Sequence, residues 1–186
     1  MSIDKPFYFL RHGETSWNLE RRTQGQLDSQ LNETGQAQAL RAAEVLKAEP
    51  LQHIVASPLS RVRHTAEAVA SHHDIEIEYS DALKECHLGE LQGKPHDDRL
   101  RQYWGGHFDP PGGETYGTFA ARVWQAMADA VRGRDNVLIV CHGGLWRAAH
   151  DYVGIEPPLL PMPNALPVHV TPKNGVWFNR VLDPER

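Results

Sequence analysis

Short runs of apolar, β-branched and aromatic residues punctuate the chain, separated by stretches in which apolar residues recur at helical spacing. Phe7-Tyr8-Phe9-Leu10 and Val137-Leu138-Ile139-Val140 are continuous apolar runs, the pattern of strands buried on both faces. His53-Ile54-Val55-Ala56 is a weaker third run. Ile75, Ile77 and Tyr79 alternate with Glu76 and Glu78, which predicts a strand with one wet face. Ala37, Leu40, Ala43 and Leu46 recur every three residues after Thr34, which predicts a helix capped at Thr34 with these residues as its apolar face. Phe119, Val123, Met127, Ala130 and Val131 follow Thr118 in the same way, and Gly133 closes that helix. Near the end, Val168 to Thr171 and Val176 to Val181 flank Pro172-Lys173-Asn174-Gly175, the signature of a hairpin. Alternating strands and helices predict an α/β fold, a three-layer α/β/α sandwich with a mostly parallel central sheet.

One stretch breaks the pattern. Residues 89–117 carry seven glycines (Gly89, Gly93, Gly105, Gly106, Gly112, Gly113, Gly117) and three prolines (Pro95, Pro110, Pro111), with room for one short helix starting near Pro95. Long excursions of this kind are functional lids or mobile loops. The expectation is a single domain over residues 1–186 with a capping excursion at about 89–117.

Composition narrows the class. At 186 residues the chain is below the size at which cores split into separate domains, and about 70% of the unfolded surface can be buried. A formal charge of -5 argues against nucleic acid or an anionic membrane as partner, since both call for a basic surface. No stretch approaches the roughly 20 apolar residues of a spanning helix, and the N-terminal apolar run is too short for a signal peptide. Cys86 and Cys141 are too few for a disulfide framework, which points to a reducing compartment and a cytoplasmic location. Monomer and homodimer are equally open.

Three apolar runs end in residues that carry chemistry: Arg11-His12-Gly13-Glu14-Thr15 after the first, Ser57-Pro58-Leu59-Ser60-Arg61 after the second, and Cys141-His142-Gly143-Gly144 after the last long run. In open α/β sheets, ligands bind outside the carboxyl ends of the strands. If these ends converge, the pocket holds two arginines, two histidines and glycine-bounded helix starts, and guanidinium forks and helix N-termini both suit phosphate oxygens. Singly, each motif reads as a surface pair or a turn. Their joint occurrence at three strand ends is what points to a site.

These residues resemble the histidine phosphatase superfamily, which includes the phosphoglycerate mutases. The likeness is carried by Arg11-His12-Gly13-Glu14-Thr15, Asn18, Gln24-Gly25, Asp28, Leu31 and Gly35 to Ala39. It continues through Ser57 to Ala66, Leu83-Lys84-Glu85, Gly89, Gly93, Pro111 to Thr115 and Cys141 to Gly144. Gln30, His64 and Leu91 depart from the usual proline, glutamine and tryptophan. The resemblance implies a phosphoglycerate mutase-like fold. It also implies that His12 attacks phosphorus, that Arg11, Arg61 and His142 hold the equatorial oxygens, and that Glu85 protonates the leaving oxygen and then activates water. Asn18, Gln24, Gly25 and the amide of Gly143 match substrate-binding positions. No metal and no cofactor is implied, and the substrate is a small phosphorylated molecule: a sugar phosphate, a phosphoglycerate, α-ribazole phosphate or a phosphoprotein.

Within that family, hydrolysis is favoured over mutase chemistry. The segment from Gly93 to Arg101 lacks the adjacent arginines that mutases place around a second phosphate, and Gln24 stands where they carry threonine. Two other readings stay open. Cys141 to Arg147 satisfies the Cys-x5-Arg spacing of cysteine-dependent phosphatases, and a non-catalytic phospholigand binder would use the same fold. Tyr103, Trp104, His107, Phe108 and Tyr116 either contact the non-phosphate part of a substrate or pack the excursion onto the domain.

Overall fold

The computed structural model describes residues 2–183, so Met1 and residues 184–186 of the expected domain lie outside it. The strands are β1 (Phe7–Arg11), β2 (His53–Ala56), β3 (Ile77–Tyr79), β4 (Val137–Cys141), β5 (Gly154–Glu156), β6 (Val168–Lys173) and β7 (Val176–Val181). They form one sheet in the order β3-β2-β4-β1-β6-β7-β5. The β3-β2-β4-β1 half is parallel throughout, while β6 runs antiparallel to both β1 and β7. The helices are α1 (Ser16–Leu19), α2 (Glu33–Leu46), α3 (Ser60–Ala70), α4 (Asp98–Trp104), α5 (Tyr116–Val131) and α6 (Gly143–Ala149).

The period-2 geometry of the strands builds both faces of the sheet at once. Phe7 and Phe9 of β1, with Val137, Ile139 and Cys141 of β4, join the core made with α5 and α6. Their alternates Tyr8, Leu10, Leu138 and Val140 join the core made with α2 and α3. Continuous apolar runs arise because each such strand is covered on both sides, which confirms the three-layer α/β/α architecture with a mostly parallel sheet. At the edge, Glu76 and Glu78 face solvent and Ile75 and Ile77 pack against the core, as the alternation predicts, but the strand is only Ile77–Tyr79 and Tyr79 is exposed as well. Among the described residues no helix is long and apolar enough to cross a membrane.

Three local expectations are corrected. Helix α2 is capped by Asn32, whose side chain accepts the amide of Gly35 at 2.7 Å, two residues before the expected Thr34. Its inner face is Gly35, Ala39, Ala42, Ala43 and Leu46, and Leu40 is 62% exposed. Gly35 has to be small because a Cβ there would meet the backbone of Glu14 in the loop after β1, while Ala42 and Ala43 pack into the core shared with α3. Helix α5 starts one turn before Thr118, capped by Thr115, whose hydroxyl accepts the amide of Thr118 at 3.1 Å. The hairpin β6-β7 and the short helix after Pro95 form as read, while α1 and β5 carry no signal strong enough to foresee.

Candidate active site

The register of the sheet brings the three motifs together. Arg11 pairs with Cys141 and Ala56 with Val140, so β1, β2 and β4 end at one level. The ladder runs on for one more step, with His12 N donating to Cys141 O at 3.0 Å and Ser57 N to Val140 O at 3.1 Å. Arg61 follows on the first turn of α3, and a pocket of about 260 Å³ opens over this edge. Arg11, His12, Asn18, Gln24, Gly25, Arg61, Glu85 and Gly143 all line it. His142 stands just behind, fully buried, its ring edge-on to that of His12 with centroids 5.3 Å apart.

Hydrogen bonds fix the orientation of these groups. His12 Nδ1 lies 2.7 Å from the carbonyl oxygen of Gly13, a contact that assigns the ring proton to Nδ1 and leaves Nε2 with its lone pair. Thr65 ties α3 to this loop, accepting from Gly13 N at 3.1 Å and donating to Arg61 O at 2.8 Å. Arg11 donates through Nη1 to Met162 O at 2.6 Å. Arg61 donates to Leu27 O at 3.0 Å and Gly25 O at 2.8 Å. Gly25 therefore steadies a guanidinium with its carbonyl, at a φ of +55° that suits glycine. Asn18 Oδ1 accepts the amide of Thr15 and Gln24 Oε1 accepts the hydroxyl of Ser29, so both side chains are anchored at their oxygens.

Two buried guanidiniums beside two buried imidazoles set the electrostatics. Burial, then the charges of Arg61 and Arg11, push His12 well below the ordinary histidine range. Burial and the same arginines push His142 down as well. Burial also lowers Arg61, to about 10, and Arg11. Both imidazoles are neutral at pH 7. The Nε atoms of Arg11 and Arg61 and Nδ1 of His142 are buried without a hydrogen-bond partner among the described residues. Buried polar groups of this kind are costly unless something pairs with them, and an oxyanion is the group that two guanidiniums would pair with.

Glu85 enters from the other side. Its Oε1 accepts the amide of Cys86 at 3.0 Å and its Oε2 the amide of Gly144 at 3.1 Å. A Cβ at position 144 would run into the Glu85 carboxylate and the ring of Trp104, so the second glycine of the Gly143-Gly144 pair gives the carboxylate its room.

The outer half of the pocket is built from residues that sequence reasoning missed as site residues: Arg22, His96, Leu100, Arg147 and the 160–162 stretch. Arg147 lies with its guanidinium carbon 5.4 Å from the ring centre of Trp104. Asn164 donates to the backbone oxygen of His12 at 2.9 Å from the far end of the chain. Of the five excursion residues, only Trp104 lines the pocket. Tyr103 is fully buried and meets Trp104 and Tyr116 edge-on, so these aromatics mainly pack the excursion onto the core.

The Cys-x5-Arg spacing does not form a phosphate loop. Cys141 is the last residue of β4, fully buried in the apolar core, and burial pushes its thiol far up. Arg147 lies within α6, its guanidinium over the ring of Trp104 and lining the pocket, which Cys141 does not. Among the described residues no three His, Cys, Asp or Glu side chains gather as a metal-holding group.

Residues 7–178 match the model of the histidine phosphatase superfamily, branch 1. The chain is 35% identical over 147 residues to a probable phosphoglycerate mutase GpmB of Salmonella choleraesuis, covering 73% of this chain and 68% of the relative. It is 34% identical over 157 residues to phosphoglycerate mutase-like protein 4 of Arabidopsis thaliana, covering 76% and 68%. The structure of mycobacterial glucosyl-3-phosphoglycerate phosphatase in complex with VO3 superposes with a TM-score of 0.80 at 30% identity, covering 95% of this chain and 98% of that one. The alpha-ribazole phosphatase of Shigella flexneri shares the fold, with a TM-score of 0.80 at 23% identity, covering 96% of each chain. The chain belongs to the histidine phosphatase superfamily, branch 1.

Proposed function

We propose that this protein hydrolyses small phosphomonoesters through a phosphoryl group carried on His12. The observation that carries the reading is the state of His12. Its Nδ1 lies 2.7 Å from Gly13 O, which leaves Nε2 with the lone pair, and burial beside the charges of Arg61 and Arg11 disfavours its protonated form. In the first step the Nε2 lone pair attacks phosphorus in line. The bond from phosphorus to the ester oxygen breaks, and that oxygen takes a proton from Glu85. Arg11 and Arg61 hold the equatorial oxygens, where charge gathers in the transition state, with Asn18, Gln24 and the Gly143 amide completing the cradle. In the second step Glu85 takes a proton from water, the water oxygen bonds to phosphorus, and the P–N electron pair returns to His12. Inorganic phosphate leaves. His142, neutral and bonded through Nε2 to Ser57 Oγ at 2.9 Å, supports the ring of His12 and offers Nδ1 toward the same charge. The two guanidiniums supply the positive charge that a metal supplies elsewhere, so the reading needs none.

The non-phosphate part of the substrate occupies the outer half of the pocket, between Trp104, Leu100 and Met162. Free, buried Cys86 and Cys141 support a reducing, cytoplasmic setting. Mutase-type transfer is the second reading, favoured by the cations Arg22 and Arg147 at the outer pocket, where a second anionic group would lie.

The test is hydrolysis of p-nitrophenyl phosphate in EDTA by wild type, His12→Ala and Cys141→Ser. The reading expects turnover that is lost with His12→Ala and kept with Cys141→Ser. Turnover retained by His12→Ala contradicts it. Incubation with 3-phosphoglycerate then separates the two readings: phosphate release supports hydrolysis, and isomerisation without release supports transfer.

A further inference from the structure

The segment that carries Glu85 is held by an ion pair whose two residues do not themselves line the pocket. Arg122 of α5 has five N–H donors, and the structure gives each an acceptor. Nε and Nη2 reach the two oxygens of Glu114 at 3.2 and 2.6 Å. Nη1 donates to Ala82 O at 2.8 Å and Lys84 O at 3.0 Å, and Nη2 approaches Glu85 O at 3.4 Å. Glu114 in turn grips the other side of Glu85. Its Oε1 accepts the amide of His87 at 2.7 Å, and its own amide donates to His87 O at 2.8 Å. Both partners are largely buried, with side-chain exposures of 25% and 15%. Gln26 adds a third tether, donating to Glu85 O at 3.0 Å.

The backbone before Glu85 is thus bound to Arg122 and the backbone after it to Glu114, and the two side chains bind each other. A buried ion pair is weak evidence for stability, because desolvation offsets much of its attraction. Its geometry is better matched to fixing where the Glu85 carboxylate sits: that carboxylate extends across the pocket to the amide of Gly144. The pair also joins the excursion to the site, since Glu114 belongs to the excursion and Arg122 to the helix after it.

We propose that Arg122 and Glu114 are positioning residues for Glu85, fixing the proton donor against the leaving oxygen. This rests on the reading of Glu85 as the acid in the proposed hydrolysis. Displacing a general acid slows departure of a poor leaving group and spares a good one, so the signature is a split between substrates. The experiment measures kcat/KM, which follows the reaction through the first phosphoryl transfer, for an alkyl phosphate and for p-nitrophenyl phosphate. The variants are Arg122→Lys, Glu114→Gln, Glu85→Gln and the double variant Glu85→Gln/Arg122→Lys.

Arg122→Lys keeps the charge but loses the fork. It is expected to lower kcat/KM for the alkyl phosphate by about 10²-fold, the scale of a misplacement of about 1 Å, with less than about threefold loss on p-nitrophenyl phosphate. Glu114→Gln keeps the shape and the His87 contact, and is expected to show the same split at smaller size. The double variant is expected to lose no more than Glu85→Gln alone, because the clamp has nothing left to position. Equal losses on both substrates in Arg122→Lys and Glu114→Gln, beside a split in Glu85→Gln, overturn the positioning role and leave the acid assignment standing. No split in Glu85→Gln overturns the acid assignment and the positioning role together. Additive losses in the double variant also overturn positioning.

Discussion

Glu85 Oε2 accepts the backbone amide of Gly144 at 3.1 Å, joining the carboxylate to the first turn of the helix that follows β4. The contact exists because residue 144 has no side chain; a methyl there would meet the carboxylate and the Trp104 ring. Gly144→Ala therefore displaces Glu85 without touching His12 or either guanidinium. The expected result is a loss of about 10-fold or more in kcat/KM on an alkyl phosphate, with the fold retained. An unchanged alkyl phosphatase activity in a folded Gly144→Ala variant contradicts this account of the carboxylate's placement.

Burial of neutral imidazoles makes stability depend on pH. His12 and His142 are held well below the ordinary value of 6.5, and His96, His150 and His169 are lowered as well, each first by burial. The unfolded chain takes up protons on these rings as pH falls through about 6.5, while the folded protein takes them up only at lower pH. Their contribution to stability is therefore complete above that value and declines below it, by up to about 1.4 kcal/mol per pH unit for each strongly lowered ring. Thermal midpoints measured from pH 7 to pH 5 are expected to fall, and His142→Gln is expected to flatten the slope. A midpoint that holds or rises over that range contradicts the neutral, buried state of these rings.

Cys141 is a core residue beside the site. Cys141→Ser puts a hydroxyl into an apolar setting, with an expected cost of about 1–3 kcal/mol and turnover close to wild type. Denaturant unfolding and the p-nitrophenyl phosphate assay check the two halves. Turnover that disappears in a folded Cys141→Ser variant contradicts the assignment of the chemistry to His12.

Arg147 on its Trp104 platform is the cation of the outer pocket most exposed to solvent. Arg147→Ala is expected to raise KM for a phosphomonoester with a carboxylate on its leaving group by about 10-fold, the scale of one charge-assisted contact. KM for p-nitrophenyl phosphate is expected to stay within about twofold, because the phosphate end of the pocket is untouched. Equal changes in both substrates contradict a role for the outer pocket in recognising the leaving group.

Much of the fold and the inner site was legible because it is local. Phe7 to Leu10 and Val137 to Val140 announce central strands, and the motif residues follow each strand directly, so the parallel register alone brings Arg11, His12 and His142 together. The inner face of α2 is hard to read because it is lined mostly by Gly35 and three alanines, while Leu40, as apolar as the buried Leu46, faces solvent. The outer pocket was illegible for a different reason. Its wall is assembled from Arg22, His96, Arg147 and Met162, which are remote in the chain and share no pattern. The Arg122 clamp is hidden likewise: three of its acceptors are backbone carbonyls 37 to 40 positions away, and backbone oxygens leave no mark on a sequence.

The central claim is that phosphorus passes through His12. Its most direct test is to mix enzyme with a phosphomonoester, quench with alkali, in which a phosphorylated imidazole survives, and map the modified peptide by mass spectrometry. The account predicts phosphate on the peptide containing His12, removed by acid, and absent from His12→Ala, whose kcat falls by at least about 10³-fold. Phosphate found on Ser57 or Cys141, or near-normal turnover by His12→Ala, would contradict it.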